Sequence, residues 1–130
     1  LYLGMLPREH VLLLRRQSIC VLNPSLFEGW GLSVAEAQAV GKRVLVSDIP
    51  PHREQDPPGA LYFDPADHEA LARRMAQIWY EAAPGPDVAL EAAARASHQP
   101  ALRAYGEAFL AVVREAVEER PAGRRAGPNP

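Results

Sequence analysis

The 130-residue chain has a single cysteine, Cys20, so it can build neither an internal disulfide nor a cysteine-based zinc cluster, and it suits a reducing compartment. It lacks a basic surplus. Fourteen Lys and Arg stand against sixteen Asp and Glu, which argues against a general nucleic-acid binder. No apolar run reaches the ~18 residues of a membrane-spanning helix, and no basic-then-apolar leader or initiating Met opens the chain. Aromatic residues make up only 7%. The four histidines, His10, His52, His68 and His98, are scattered without ligand spacing or a nucleophilic partner, so surface or capping roles are expected.

What is present is globular. Hydrophobic residues are 48% and charged residues 23%, enough for a core. Short apolar runs at Leu1–Leu3, Ile19–Leu22, Val44–Ser47 and Leu61–Phe63 read as strands, the middle two buried on both faces. Between them, Arg8–Gln17 and Leu32–Val40 read as helices, the second closed by Gly41 as a left-handed cap. Four prolines make residues 48–59 mostly loop. A helix capped by Asp64 or Asp67 runs to about Ala82, with Leu71, Met75, Ile78, Trp79 and Ala82 on one face. Two further helices are expected over 87–97 and 101–119, divided at Pro100, with Trp79, Tyr105 and Phe109 as helix-core aromatics. The alternation predicts an α/β fold with a parallel sheet, part of a Rossmann-like, doubly wound architecture with C-terminal helices. The organisation expected is a sheet domain over 1–82, helices packed on it over 83–120, and a disordered tail over 121–130.

Ligands of such sheets bind beyond the carboxyl ends of the strands. There the sequence is Pro24-Ser25-Leu26-Phe27-Glu28-Gly29-Trp30-Gly31-Leu32-Ser33-Val34-Ala35-Glu36-Ala37. Two glycines just ahead of a helix allow a sharp turn, and the free amides of Gly31, Leu32 and Ser33 at the helix start suit a phosphate or pyrophosphate. A glycine serving only the turn explains the same residues equally well. Glu28 and Glu36 are eight positions apart, but so are Glu107 and Glu115, which read as solvated helix face. The first pair differs by flanking the glycine turn. A carboxylate at Glu36 could accept two ribose hydroxyls, or merely complement the helix dipole.

These residues, with Ala39-Val40-Gly41-Lys42, Ser47-Asp48 and Glu54, resemble the donor-binding signature of GT-B retaining glycosyltransferases of the family 4 type. Tyr2-Leu3-Gly4 and Tyr62-Phe63-Asp64-Pro65-Ala66-Asp67 look like the family's flanking segments, so the resemblance spans about residues 1–82. It implies transfer of a sugar, with retention, from a nucleotide sugar such as a UDP-, GDP- or ADP-sugar to a carbohydrate, lipid or other acceptor. Glu28 would be the catalytic residue and bind donor-sugar hydroxyls with Gly29 and Trp30. Gly31, Leu32 and Ser33 would hold the diphosphate, and Glu36 the ribose. No metal or other cofactor is implied. The location expected is the cytoplasm, or peripherally the inner face of the membrane.

Several positions depart from the family pattern. Ser33 replaces a frequent Pro, Trp30 a frequent Phe and Arg43 a frequent Pro, and the usual Gly pair after Ser47 gives way to Ile49-Pro50-Pro51-His52-Arg53-Glu54. The basic pair that neutralises the diphosphate in relatives, and their N-terminal acceptor-binding domain, have no counterpart, and Lys42 and Arg53 are read as surface residues. In a sheet of order 3-2-1-4-5-6, Leu1–Leu3 would be third and Ile19–Leu22 fourth, with their intervening neighbours missing. The chain therefore reads as the donor-binding part of a longer enzyme, inactive and poorly folding alone. Two alternatives remain. One is a dinucleotide site, since Gly29-Trp30-Gly31 with Asp48 about twenty residues on is a partial fingerprint, although six residues separate the strand from Gly29. The other is a degenerate, non-catalytic fragment.

Overall fold

A computed structural model of the chain describes residues 1–118. The tail expected over 121–130 lies outside the described residues. The elements are α1 (Arg8–Gln17), β1 (Val21–Asn23), α2 (Leu32–Ala39), β2 (Val44–Ser47), α3 (Pro50–Gln55), β3 (Leu61–Phe63), α4 (His68–Glu81) and α5 (Val88–Glu118). The chain divides into two compact units, Leu1–Ala96 and Ser97–Pro130.

In the first unit, β1, β2 and β3 form a parallel sheet in that order. Strand alternation sends Val44 and Val46 to one face, where Val34 and Ala37 of α2 cover them. Leu45 goes to the other face and packs with Phe63 and with Ile78 of α4. Helices on both faces of a parallel sheet bear out the α/β, partial Rossmann-like expectation. Every residue of β2 is buried, as its apolar run predicts.

The edges of the sheet differ from expectation. β1 begins at Val21 rather than Ile19 and is not buried on both faces, because Leu22 sits on an edge strand with β2 as its neighbour. Ile19 and Cys20 precede it and pack against the Leu45, Phe63 and Ile78 cluster. Burial pushes the Cys20 thiol up, which keeps it protonated and inert. Leu1–Leu3 is not a strand. Its residues are exposed, and among the described residues no strand offers its backbone a ladder.

Residues 48–59 are not all loop either. Pro50 and Pro51 fall at the first helical turn of α3, where a missing N–H costs nothing. Asp67 caps α4 by accepting from the Ala70 amide at 2.8 Å. Leu71, Ile78 and Ala82 reach the sheet, but Met75 and Trp79 do not, and Trp79 is 69% exposed. Gly41 closes α2 with φ +63°. The Lys42 amide bonds back to Ala37 at 2.8 Å and the Gly41 amide to Gln38 at 2.9 Å, a Schellman cap. Lys42 is not a surface residue. It is buried, its ammonium donating to the Gly85 carbonyl at 2.6 Å and the Arg16 carbonyl at 3.4 Å, and burial pulls its pKa down.

α5 runs through Pro100 as one helix, where a break was expected. Proline removes the bond to the carbonyl four residues back, that of Ala96, and the unit boundary falls at that residue. In the second unit Tyr105 and Phe109 stack with ring centroids 6.5 Å apart. Both are largely exposed, so neither is the core residue that periodicity suggested.

Candidate functional site: the glycine turn beyond β1

The site begins at Asn23, the last residue of β1. Asn23 pairs with Val46 on the α2 face of the sheet, so alternation aims its buried side chain at the start of α2. The Asn23 amide nitrogen donates to the Ser33 hydroxyl at 2.9 Å and to the Glu28 carboxylate at 3.2 Å. Its oxygen accepts from the Ser25 hydroxyl at 2.6 Å, and that hydroxyl also lies 2.7 Å from Glu28. Ser47, buried at the end of β2, donates its hydroxyl to the Ser25 carbonyl. The loop that carries Glu28 is thus tied to two strand ends.

The hydrogen bond from Ser25, then that from Asn23, holds the Glu28 carboxyl below the usual range. Glu28 is therefore an anion at neutral pH and accepts hydrogen bonds only.

Gly31 opens α2 in the left-handed conformation, φ +80° and ψ 58°, without a side-chain cap. Its carbonyl accepts from the Val34 amide at 3.0 Å and the Ala35 amide at 3.3 Å. Among the described residues, the Leu32 and Ser33 amides have no hydrogen-bond partner. Two free donors at the positive end of a helix dipole attract an anion. Trp30 and Leu32 are exposed on either side of the turn.

Sequence reasoning placed Glu28, the turn and Ser33 in one site, and the structure brings them together. Glu36 is placed differently. Its carboxylate pairs with Arg15 and lies 3.5 Å from the Arg8 Nε, both on α1, and it joins no part of the Asn23 network. Neither arginine was singled out from sequence. Nor was Asn23, whose signal is a polar residue closing an apolar run.

His52 is the larger surprise. Far from the surface, it is wholly buried, with Nδ1 2.8 Å from the Ser47 carbonyl oxygen. The first turn of α3 carries it inward beside Gly31, where a Cβ would stand 3.5 Å from its Nε2. Gln55 of α3 donates to the Trp30 carbonyl and, at 3.2 Å, to the Gly31 carbonyl. The helix after β2, α3, therefore braces the turn. Arg53 is exposed as expected and grips Asp48 through two contacts of 2.6 Å. This engages both oxygens of the acid that a dinucleotide site would need free for ribose.

Residues 1–96, the whole of the first unit, match the pattern of glycosyl transferases group 1. The chain belongs to that family. The glycosyl transferase group 1 chain is also 32% identical over 99 residues to a sucrose synthase of Acidithiobacillus caldus. The match covers 72% of this chain and 12% of that relative, so the chain spans a small part of the relative's length. No solved structure matches it. Among its described residues, no helix is long and apolar enough to cross a membrane.

Proposed function

We propose that this glycosyl transferase group 1 chain is the donor-binding part of a retaining enzyme of the family 4 type, taking a UDP-, GDP- or ADP-sugar. The observation that carries the reading is the Gly31 turn, with the free Leu32 and Ser33 amides beside an ionised Glu28. In the reaction, the bond from the anomeric carbon to the diphosphate oxygen breaks, the acceptor hydroxyl oxygen bonds that carbon on the same face, and the hydroxyl proton leaves with the diphosphate. Charge grows on the departing diphosphate, where fixed amides and the α2 dipole stabilise it more than they stabilise the donor. Glu28 accepts hydroxyls of the donor sugar and holds the ring beside the turn, with Gly29 and Trp30 lining it. Glu36 accepts the ribose hydroxyls once Arg15 and Arg8 share or release it. Helix amides, rather than a metal, carry the leaving group's charge. The acceptor, a carbohydrate, lipid or similar hydroxyl compound, binds a further domain, so these residues alone do not transfer sugar. The kinship with a sucrose synthase supports glycosyl transfer over the dinucleotide reading.

The test uses the full-length protein. Titration with UDP, GDP, ADP and NAD should show a nucleoside diphosphate bound and NAD excluded, and Glu28→Ala should lower sugar transfer by about a hundredfold or more. Binding of NAD alone, or wild-type transfer by Glu28→Ala, would sink the reading.

A further inference from the structure

Two buried side-chain polar atoms lack a partner among the described residues, Nε2 of His52 and Oε1 of Gln55. Both belong to α3, and both side chains lie against Gly31. A Cβ there would stand 3.0 Å from the Gln55 Nε2 and 3.4 Å from the His52 ring carbon Cδ2. The His52 ring is fixed from the strand side. Its Nδ1 faces the Ser47 carbonyl at 2.8 Å and so donates to it, while Nε2 has no partner among the described residues. The Gln55 nitrogen donates to both the Trp30 and the Gly31 carbonyls.

We propose that Gln55 and His52 are positioning residues of the Gly31 turn, setting the aim of the amides that receive the diphosphate. The proposal rests on the donor-site reading above. A trans peptide holds its C=O and N–H on opposite sides. Drawing the Trp30 and Gly31 oxygens toward Gln55 therefore turns the Gly31 and Leu32 N–H groups away from it. The Gly31 carbonyl is also held by the Val34 and Ala35 amides, but among the described residues no helix bond holds the Trp30–Gly31 peptide ahead of this left-handed glycine without a side-chain cap. Gln55 supplies that restraint, and the His52 ring fills the space behind Gly31. Neither residue touches the donor. Both act through the backbone, so that the amides are oriented before charge develops.

The test measures the affinity of the full-length protein for UDP, GDP and ADP, and for the matching nucleosides, in Gln55→Glu, Gln55→Ala, His52→Ala and His52→Asn. Melting temperatures report folding. Gln55→Glu keeps the shape but replaces the donor with a carboxylate, and should weaken diphosphate binding by about tenfold. Nucleoside affinity should stay within a factor of about two. His52→Asn can still donate to the Ser47 carbonyl and should retain more diphosphate affinity than His52→Ala. Were His52→Ala not to fold, the Gln55 variants decide alone. Unchanged diphosphate affinity in folded Gln55→Glu overturns the proposal. Equal losses for nucleoside and diphosphate also overturn it, since they would mark general damage. A wild-type protein that binds no nucleoside diphosphate defeats the donor-site reading itself, and that outcome is seen before any variant is made.

Discussion

Asn23 donates its side-chain amide to the Glu28 carboxylate at 3.2 Å and to the Ser33 hydroxyl at 2.9 Å. One buried residue at a strand end thus links the acid of the site to the start of the helix that frames it. This asks more of Asn23 than the sequence suggests, because its removal disturbs both partners.

The linkage predicts a titration. Ser25 and Asn23 lower the Glu28 pKa by stabilising the carboxylate. Ser25→Ala, and more so Ser25→Ala with Asn23→Ala, should raise it toward the ordinary ~4.3. A carboxyl with a depressed folded pKa adds stability above the unfolded value and loses it as pH falls through the folded value. The double variant should therefore lose less stability than wild type on acidification below about pH 4. Carbon NMR of the Glu28 carboxyl checks this. An unmoved titration in both variants would show that the two hydrogen bonds do not set it.

Glu36 separates two roles. Its carboxylate lies between Arg15 and Arg8, with a side chain only 17% exposed. If it also receives ribose, Glu36→Gln should weaken binding of the nucleoside about tenfold and leave pyrophosphate binding unchanged. If its work is only to join α1 to α2, the variant should lower the melting temperature and leave nucleoside affinity intact. Arg15→Met distinguishes them further. By freeing Glu36 it should tighten nucleoside binding on the first account and not on the second.

How much of this was legible beforehand follows the physics of each signal. Periodicity and apolar runs found α1, α2, β2, β3 and α4, since each buries a face that the sequence displays. The glycine turn was legible because Gly31 needs a left-handed backbone. Long-range pairing was not. Nothing local tells that Arg15 meets Glu36 or that Lys42 reaches the Gly85 carbonyl, as both follow from how elements pack. The prolines misled twice. Pro50 and Pro51 start a helix rather than prevent one, and Pro100 sits inside one. His52 reads as a surface residue only where 48–59 reads as loop, and its burial follows from α3.

Gly41 is fixed by space as well as by φ. A Cβ there would stand 2.4 Å from the Glu91 Cα and N, backbone atoms that cannot swing aside. Gly59 has a similar φ, +69°, with nothing within 4 Å. Gly59→Ala should cost about 1–2 kcal/mol, the penalty of a left-handed alanine. Gly41→Ala adds overlap to that penalty and should cost about 3 kcal/mol or more. Urea melts of the two variants give the comparison, and equal costs would refute the close packing of α5 on the α2 cap.

Glu91 predicts the acid limb of stability. Its buried carboxylate receives Arg16 through two contacts, 2.6 and 3.0 Å, and Arg95 at 2.9 Å. The Arg16 hydrogen bond is the largest influence and lowers the Glu91 pKa, against an opposing effect of burial. A depressed carboxyl contributes fully above its unfolded pKa of ~4.3 and loses that contribution as pH falls through the folded value. Wild type should therefore destabilise more steeply than Glu91→Gln below about pH 4, while Glu91→Gln is the less stable protein at pH 7. Glutamine keeps the shape, so the difference reports charge rather than packing. Denaturant melts at pH 7, 5, 4 and 3 would show the two curves converging, and parallel curves would mean that the Arg16 pair adds nothing to the fold.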